Sequence, residues 1–209
     1  MKLTKYAHAC FTLEKDDQVL VVDPGNFSKD FTAPHGVVAV IITHEHADHI
    51  DPAAMTEIRD KNPNALLIAT KSVIDSLPDY TAQVAVPGNT LHAGGFDIEI
   101  FGGKHAVIHP SMPVVDNVAI MIDGTIYYPG DSFTPPERPV DVLALPVAAP
   151  WSKISEVIDF ITQVQPRFAF PTHDAILSSD GQSVTDSMIG PVAATYGGEY
   201  RRLEQPLDI

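Results

Sequence analysis

A continuous apolar run that ends directly in a cluster of metal-binding residue types constrains this chain more than any other feature. The run covers residues 37–42 and reads Val-Val-Ala-Val-Ile-Ile. Four potential metal donors follow within the six residues 44–49, namely His44, His46, Asp48 and His49. A run without polar alternation is typical of a strand buried on both faces, and open α/β sheets place their sites at such strand ends. The pattern therefore predicts a central strand with a metal site at its carboxyl end.

The spacing of the four donors allows them to serve two ions. His44 and His46 are two residues apart, so in an extended segment both side chains project to one side and can share an ion. Asp48 and His49 come at the turn into the next helix and can serve a second ion. The alternative is a polar loop that caps the helix at Pro52, for which three histidines and an aspartate are an unusual choice.

Strand and helix patterns alternate along the rest of the chain, which predicts a mixed α and β fold. Strands are predicted at residues 3–6, 11–14, 19–22, 37–42, 65–69, 84–86, 90–92, 96–101, 118–122, 125–128, 140–145 and 168–170. Helices are predicted at 52–59, 71–77, 152–163 and 183–194, the last one interrupted near Gly190 and Pro191. No linker separates these segments, so we expect one domain over residues 1–209.

Charge and cysteine content narrow the expected partners and compartment. The chain has 13 Lys and Arg against 27 Asp and Glu, a formal net charge of −14. Because Lys and Arg provide most of the binding to phosphates, we expect neither nucleic acid nor a membrane as partner, but a small-molecule substrate. The single cysteine, Cys10, cannot form an internal disulfide, and the first residues lack a signal-peptide pattern. These observations predict a cytoplasmic protein, and a homo-oligomer is compatible with them.

Three more potential donors each follow a predicted strand. His105 follows the strand at 96–101, Asp131 follows 125–128, and His173 follows 168–170. Zinc takes about four ligands, so two ions need more donors than residues 44–49 supply. His109 lies in the same segment as His105 and is an alternative to it; we prefer His105 because it is nearer the strand end.

Together these residues resemble a known family. The pattern His-x-His-x-Asp-His after an apolar strand, with an earlier strand ending in Asp-Pro, resembles the metallo-β-lactamase superfamily. The later landmarks follow in order, at His105, Gly130-Asp131 and Pro171-Thr172-His173. The opening Tyr-Ala-His-Ala-Cys-Phe at 6–11 and the run Asp-Val-Leu-Ala-Leu-Pro at 141–146 are similar to the branch of small metal-dependent hydrolases that includes the ascorbate-6-phosphate lactonases. That branch usually opens with Gly-His, and here Ala7 stands in place of the glycine.

The resemblance implies a four-layer αβ/βα sandwich with the site at one edge of its two sheets. It also implies a shared ligand set, in which the first ion is held by His44, His46 and His105. The second ion would be held by Asp48, His49 and His173. Asp131 would bridge the two ions.

The implied activity is hydrolysis of a small molecule such as a lactone, an ester or a phosphodiester. Two divalent ions bring four positive charges, and Asp48 and Asp131 bring two negative ones, so with a bridging hydroxide the site keeps a net charge of +1. Metal coordination lowers the pKa of water to about 7, which makes such a hydroxide available as nucleophile. Asp48 and Asp131 are therefore the expected catalytic carboxylates. Zinc is the expected metal, with manganese or iron as alternatives.

Several further residues each have two possible interpretations. Asp23 is either an outer partner of a ligating histidine or a turn residue before Pro24. His8 is either close to the metal pocket or a strand-end histidine bonded to backbone. Trp151 and Lys153 are candidate substrate contacts, against a packing tryptophan and a solvated lysine. The loops at 26–35 and 108–116 are expected to line the pocket.

Other functions compete with small-molecule hydrolysis. A nucleic-acid-processing nuclease of the same fold is disfavoured by the acidic balance. A non-catalytic metal-binding module is disfavoured by the complete set of candidate ligands. A diiron oxidoreductase of this superfamily would carry Glu where this chain has His46.

Overall fold

Two seven-stranded sheets with helices on their outer faces form the chain, and the structure, a computed structural model, describes residues 1–209. The strands are β1 Lys2–Lys5, β2 Phe11–Lys15, β3 Gln18–Val22, β4 Val37–Ile42, β5 Leu66–Ala69, β6 Ala82–Val84, β7 Thr90–Ala93, β8 Phe96–Gly102, β9 Val118–Ile122, β10 Ile126–Tyr128, β11 Val142–Pro146, β12 Phe168–Thr172, β13 Glu199–Tyr200 and β14 Leu207–Asp208. The helices are α1 Pro52–Lys61, α2 Lys71–Ser76, α3 Ile154–Val164 and α4 Ser179–Thr195. None of these helices combines the length and the apolar composition that crossing a membrane requires.

The central strands are apolar on both faces because each face packs against a different layer. In β4, Ala39 and Ile41 point into the 22-residue core between the sheets, whereas Val40 and Ile42 pack towards α1 and α2. The second sheet repeats this arrangement, with alternate residues of β9 and β11 in the central core and the others packed against α3 and α4. The predicted four-layer αβ/βα sandwich is therefore confirmed.

Parallel pairing brings the ends of several strands to one edge. The first sheet has the order β14-β1-β2-β3-β4-β5-β6, and the second has the order β13-β12-β11-β10-β9-β8-β7. In the first sheet β3 pairs in parallel with β4, and in the second β10, β11 and β12 are parallel. The carboxyl ends of parallel strands lie at the same edge, so the residues that follow these strands are neighbours.

Two predicted elements differ from the structure. The last helix is uninterrupted from Ser179 to Thr195 with Pro191 inside it, because Ile189 and Ala193 on either side of the proline are both buried in the core beneath α4. Burial of these two side chains opposes the roughly 3 kcal/mol that an internal proline costs. The strand predicted at 84–86 lies instead at Ala82–Val84, because these are the residues that pair with β5. The short strands β13 and β14 were not predicted.

The turn after β3 packs directly on the histidine-rich loop after β4. The backbone N–H of Asn26 donates to the carbonyl of Ala47 at 2.8 Å, and the N–H of Asp51 donates to that of Pro24 at 3.0 Å. Gly25 lies between them, and a Cβ atom there would be 1.8 Å from the Asp48 carbonyl oxygen. The absence of a side chain at Gly25 therefore sets the position of the loop that carries Asp48 and His49.

Gly25→Ala should destabilise the fold because the added methyl group overlaps backbone atoms that cannot rotate away. We expect a loss at the upper end of the roughly 1–3 kcal/mol that overpacking costs, measured by denaturant unfolding followed by circular dichroism. Gly181→Ala is the matched control, since its nearest contact would be an ordinary 3.4 Å and alanine favours a helix. Equal stability of the two variants would contradict this packing argument.

Candidate metal centre

Eight histidine and aspartate side chains converge at the shared edge of the two sheets. They form two groups of four, and within each group the potential donor atoms all lie within 4.8 Å of one another. One group contains His44, His46, His105 and Asp131, and the other contains His8, Asp48, His49 and His173. The two groups therefore bring together all seven residues of the predicted ligand set, and His8 in addition.

Asp131 lies between the two groups. Its Oδ1 is 3.1 Å from His49 Nε2, and its Oδ2 is 3.0 Å from His173 Nε2 and 3.3 Å from His105 Nε2. These contacts join histidines of both groups to one carboxylate that is only 3% exposed. The side chain of Asn117 holds Asp131 in place, because its Oδ1 accepts the backbone N–H of Asp131 at 3.0 Å.

The donor atoms approach one another without satisfying one another. His49 Nε2, His105 Nε2, His173 Nε2 and Asp131 Oδ1 are all buried and make no hydrogen bond. Buried polar atoms without a partner are rare, and each is destabilising by about 1–3 kcal/mol. A divalent cation would satisfy these lone pairs at once, and imidazole with carboxylate is a donor set that suits such ions. The residues present therefore fit the metal that the sequence predicts.

Four of the histidines are held by a bond from the other ring nitrogen, Nδ1. His49 Nδ1 donates to Asp23 Oδ2 at 2.7 Å, and His44 Nδ1 lies 3.1 Å from Thr43 Oγ1. His105 and His173 use backbone carbonyls, those of Ala106 at 2.5 Å and Ala148 at 2.6 Å. Such bonds fix the tautomer and the ring orientation, so that Nε2 of each ring points into the cluster, where that of His44 lies 3.1 Å from His46 Nδ1.

Asp23 is fully buried and connects both sheets. Its carboxylate accepts the N–H and the hydroxyl of Thr43 at 2.8 and 2.7 Å, in addition to His49. Tyr128, from the second sheet, donates its hydroxyl to the same carboxylate at 2.9 Å. Asp23 thus contacts His49 directly and His44 through Thr43, whereas a simple turn residue would do neither.

The charges of the cluster are strongly coupled. Burial alone would raise the pKa of Asp131, but the charges of His49 and His173 outweigh it and hold that pKa well below its ordinary value. Burial would lower the pKa of His173, but the charge of Asp131 raises it to about 9. In His44, burial and the neighbouring His49 lower the pKa well below the ordinary value. The negative charge of Asp131 thus draws positive charge to this site, and a bound divalent cation would take the place of the proton on Nε2 of His49 and of His173.

Of the two positions predicted for His8, the structure has the one close to the metal pocket. Its Nε2 lies 3.1 Å from Asp48 Oδ2, and its ring centroid is 4.1 Å from that of His173. Its backbone has a φ of 59°, a conformation that non-glycine residues rarely adopt outside functional or constrained sites. The Lys5 ammonium donates to the His8 carbonyl at 2.7 Å and holds this turn in place.

The remaining candidates divide into one that contacts the cluster and two that do not. Trp151 donates its indole N–H to Asp131 Oδ2 at 2.9 Å. His109 is exposed and bonded to Ser111, and it lies outside both donor groups. Lys153 is exposed at the start of α3. Of the two loops expected near the pocket, the first places Phe27 edge-on to His8, with ring centroids 5.1 Å apart.

Some supporting residues carried no signal in the sequence. Tyr128, Asn117 and Lys5 act through partners that are distant in the chain or are backbone carbonyls. Gly130 is a partial exception, because its φ of 60° and a Cβ position 2.3 Å from Asn117 Oδ1 explain the glycine that precedes Asp131.

Comparison with known proteins agrees with this architecture. A family model described as a beta-lactamase superfamily domain matches residues 2–173. Protein Rv0786c of Mycobacterium tuberculosis is 37% identical over 195 residues, which cover 88% of this chain and 89% of that protein. A protein named UPF0173 metal-dependent hydrolase from Xanthobacter autotrophicus is 30% identical over 125 residues, covering 54% of this chain and 51% of that protein.

A solved structure has the same fold over the full length. Igni18, a metallo hydrolase from Ignicoccus hospitalis, superimposes with a TM-score of 0.72 at 20% identity, covering 100% of this chain and 98% of that chain. The family match over most of the chain, together with the sandwich and the donor cluster at its edge, leads to one conclusion. The chain belongs to the metallo-β-lactamase superfamily, as its His-x-His-x-Asp-His segment predicts.

Proposed function

We propose that this chain, a metal-dependent hydrolase of the metallo-β-lactamase superfamily, binds two divalent ions and hydrolyses a lactone, an ester or a phosphodiester of a small molecule. The observation that carries the proposal is the set of buried, unpartnered donor atoms in two adjoining groups. The first ion would be held by His44, His46 and His105. The second would be held by Asp48, His49 and His173, with Asp131 between the two ions.

The position of Asp131 supports two ions rather than one. Its two oxygens lie 3.0–3.3 Å from histidines of both groups. A structural zinc site needs about four ligands, and the cluster offers twice that number of candidate residues. Zinc is the metal we propose, since imidazole and carboxylate donors suit it, with manganese or iron as alternatives.

Two divalent ions, when bound, would supply Lewis-acid polarisation of a substrate oxygen and a coordinated water with a pKa of about 7, which would make a hydroxide nucleophile available. Other residues of the chain orient the histidine rings that would hold the ions. Asp23 and Thr43 fix the rings of His49 and His44, and carbonyl oxygens fix those of His105 and His173. Asp48 is 22% exposed, whereas Asp131 is 3% exposed, so we propose that the substrate enters on the side of Asp48.

We also propose a small substrate, a single catalytic domain over residues 1–209 and a cytoplasmic location. The net charge of −14 supports a small molecule over a nucleic acid, because a polyanion would be repelled. Loops at the edges of both sheets contribute potential metal donors to the same cluster, which supports a single domain. The one cysteine, Cys10, is buried and unpaired, which suits a reducing compartment.

Metal analysis of the untagged protein should give about two ions per chain. His46→Ala should lose mainly the first ion and His49→Ala mainly the second, because each removes a donor from one group only. Elemental analysis after exhaustive dialysis measures both losses. A single tightly held ion that neither substitution affects would rule out two sites.

His105→Ala and His109→Ala form a matched pair that tests the third ligand of the first ion. His105 is buried within 3.3 Å of Asp131, whereas His109 is exposed and bonded to Ser111. His105→Ala should therefore lower metal content, and His109→Ala should leave it intact. Loss of metal in the His109 variant alone would show that His109 is the ligand.

Asp131→Asn should abolish turnover while the circular dichroism spectrum stays close to that of the wild type. The amide removes the negative charge that lies between the two donor groups. Neither Cys10→Ser nor Ser132→Ala should reduce the rate by more than a modest factor, since Cys10 is buried and the Ser132 hydroxyl donates to the Pro129 carbonyl. A burst of product equal to the enzyme concentration, or an adduct on either side chain, would instead indicate covalent catalysis.

A further inference from the structure

The loop between β11 and α3, residues 147–153, contains none of the proposed metal ligands, yet it contacts two of them. The carbonyl of Ala148 accepts the Nδ1–H of His173 at 2.6 Å, and the indole N–H of Trp151 donates to Asp131 Oδ2 at 2.9 Å. The loop is joined to the neighbouring strand, since the Val147 N–H donates to the carbonyl of Thr172 at 3.1 Å. This short loop thus contacts both Asp131 and His173.

The indole of Trp151 is held by aromatic packing on the side away from the cluster. Its ring centroid lies 5.0 Å from that of Phe133, which in turn lies 5.2 Å from that of Phe160 in α3. On the other side, the indole faces His105 at 6.0 Å and His173 at 6.5 Å. An indole nitrogen can only donate, so the direction of its bond to Asp131 is unambiguous.

The bond makes the two oxygens of Asp131 unequal. Oδ2 accepts the indole N–H, whereas Oδ1 accepts no hydrogen bond and lies 3.1 Å from His49 Nε2. Rotation of the carboxylate about its Cβ–Cγ bond would break the indole bond. Trp151 is therefore in a position to select the rotation at which Oδ1 faces His49 and Oδ2 faces both His105 and His173, one histidine from each donor group.

We propose that Trp151 is a positioning residue that holds the Asp131 carboxylate between the two ion sites. The inference rests on the proposed function, because it assumes that Asp131 contacts both ions. A purely packing tryptophan would act through its rings alone, and a substrate contact would leave metal affinity unchanged. The N–H group, rather than the size of the ring, is the part that the proposal requires.

Trp151 is the only tryptophan in the chain, which allows a test at the level of a single atom. Expression in a tryptophan auxotroph can replace it with benzothienylalanine, in which sulfur takes the place of the N–H at nearly the same ring size. 5-Fluorotryptophan, which retains the N–H, is the matched control. A third protein, Trp151→Phe, removes the N–H genetically and retains an aromatic ring beside Phe133.

The readouts are Zn²⁺ affinity, by competition with a chromophoric chelator, and thermal unfolding of the metal-free protein. We expect benzothienylalanine and Trp151→Phe to weaken binding of at least one ion by about 10- to 100-fold, the usual effect of losing an outer partner of a ligand. 5-Fluorotryptophan should bind as the wild type does. The metal-free benzothienylalanine protein should unfold near the wild-type temperature, because its packing is retained.

The wild type also provides a spectroscopic signature. Its tryptophan emission should change as Zn²⁺ binds and reach a plateau at the measured stoichiometry, because the indole N–H is bonded to a carboxylate that the ions share. Equal affinities in all four proteins, with two ions bound, would overturn the role of Trp151 and leave the proposed function standing. Failure of the wild type to bind a second ion would overturn both.

Discussion

The buried carboxylate of Asp23 is the interaction on which the rest of the site depends. An ionised carboxylate removed from water is strongly destabilising unless it is fully hydrogen-bonded. Asp23 meets this requirement by accepting bonds from Thr43 and His49 in the loop after β4 and from Tyr128 in β10. One buried charge thus joins the two sheets at the edge where the donors converge, and it orients two of the histidines.

Strand geometry accounts for the assembly of this site from distant parts of the chain. β3, β4, β10 and β12 each end at the same edge. Asp23, Thr43 and His173 directly follow β3, β4 and β12, and Asp131 comes three residues after the end of β10. Asp23, His8 and His173 all have a positive φ, which is unfavourable for residues with a side chain. The sandwich supplies enough buried contact to retain these turns, and the turns direct the side chains inward. The packing of the core therefore stabilises the unfavourable backbone conformations of the residues at the site.

The sequence predicts the parts of this architecture that follow from local pattern. Continuous apolar runs indicate strands buried on both faces, and β4 and β9 have this burial because they lie between the central core and a helical layer. The donor cluster after β4 is recognisable for the same reason, since its members are close in the chain. In contrast, Tyr128 is 105 residues from Asp23, and nothing near either residue indicates their bond. The continuity of α4 across Pro191 depends on the burial of Ile189 and Ala193. A prediction from the residues near the proline does not take that tertiary contact into account.

The central claim is that the two donor groups each bind one ion, with Asp131 between them. Anomalous diffraction from crystals of the zinc-loaded protein, recorded on both sides of the zinc absorption edge, tests this claim most directly. We expect two anomalous peaks about 3.5–4 Å apart, each about 2.0–2.2 Å from the nitrogen and oxygen donors of its group. A single peak, or peaks away from His44, His49 and Asp131, would contradict it.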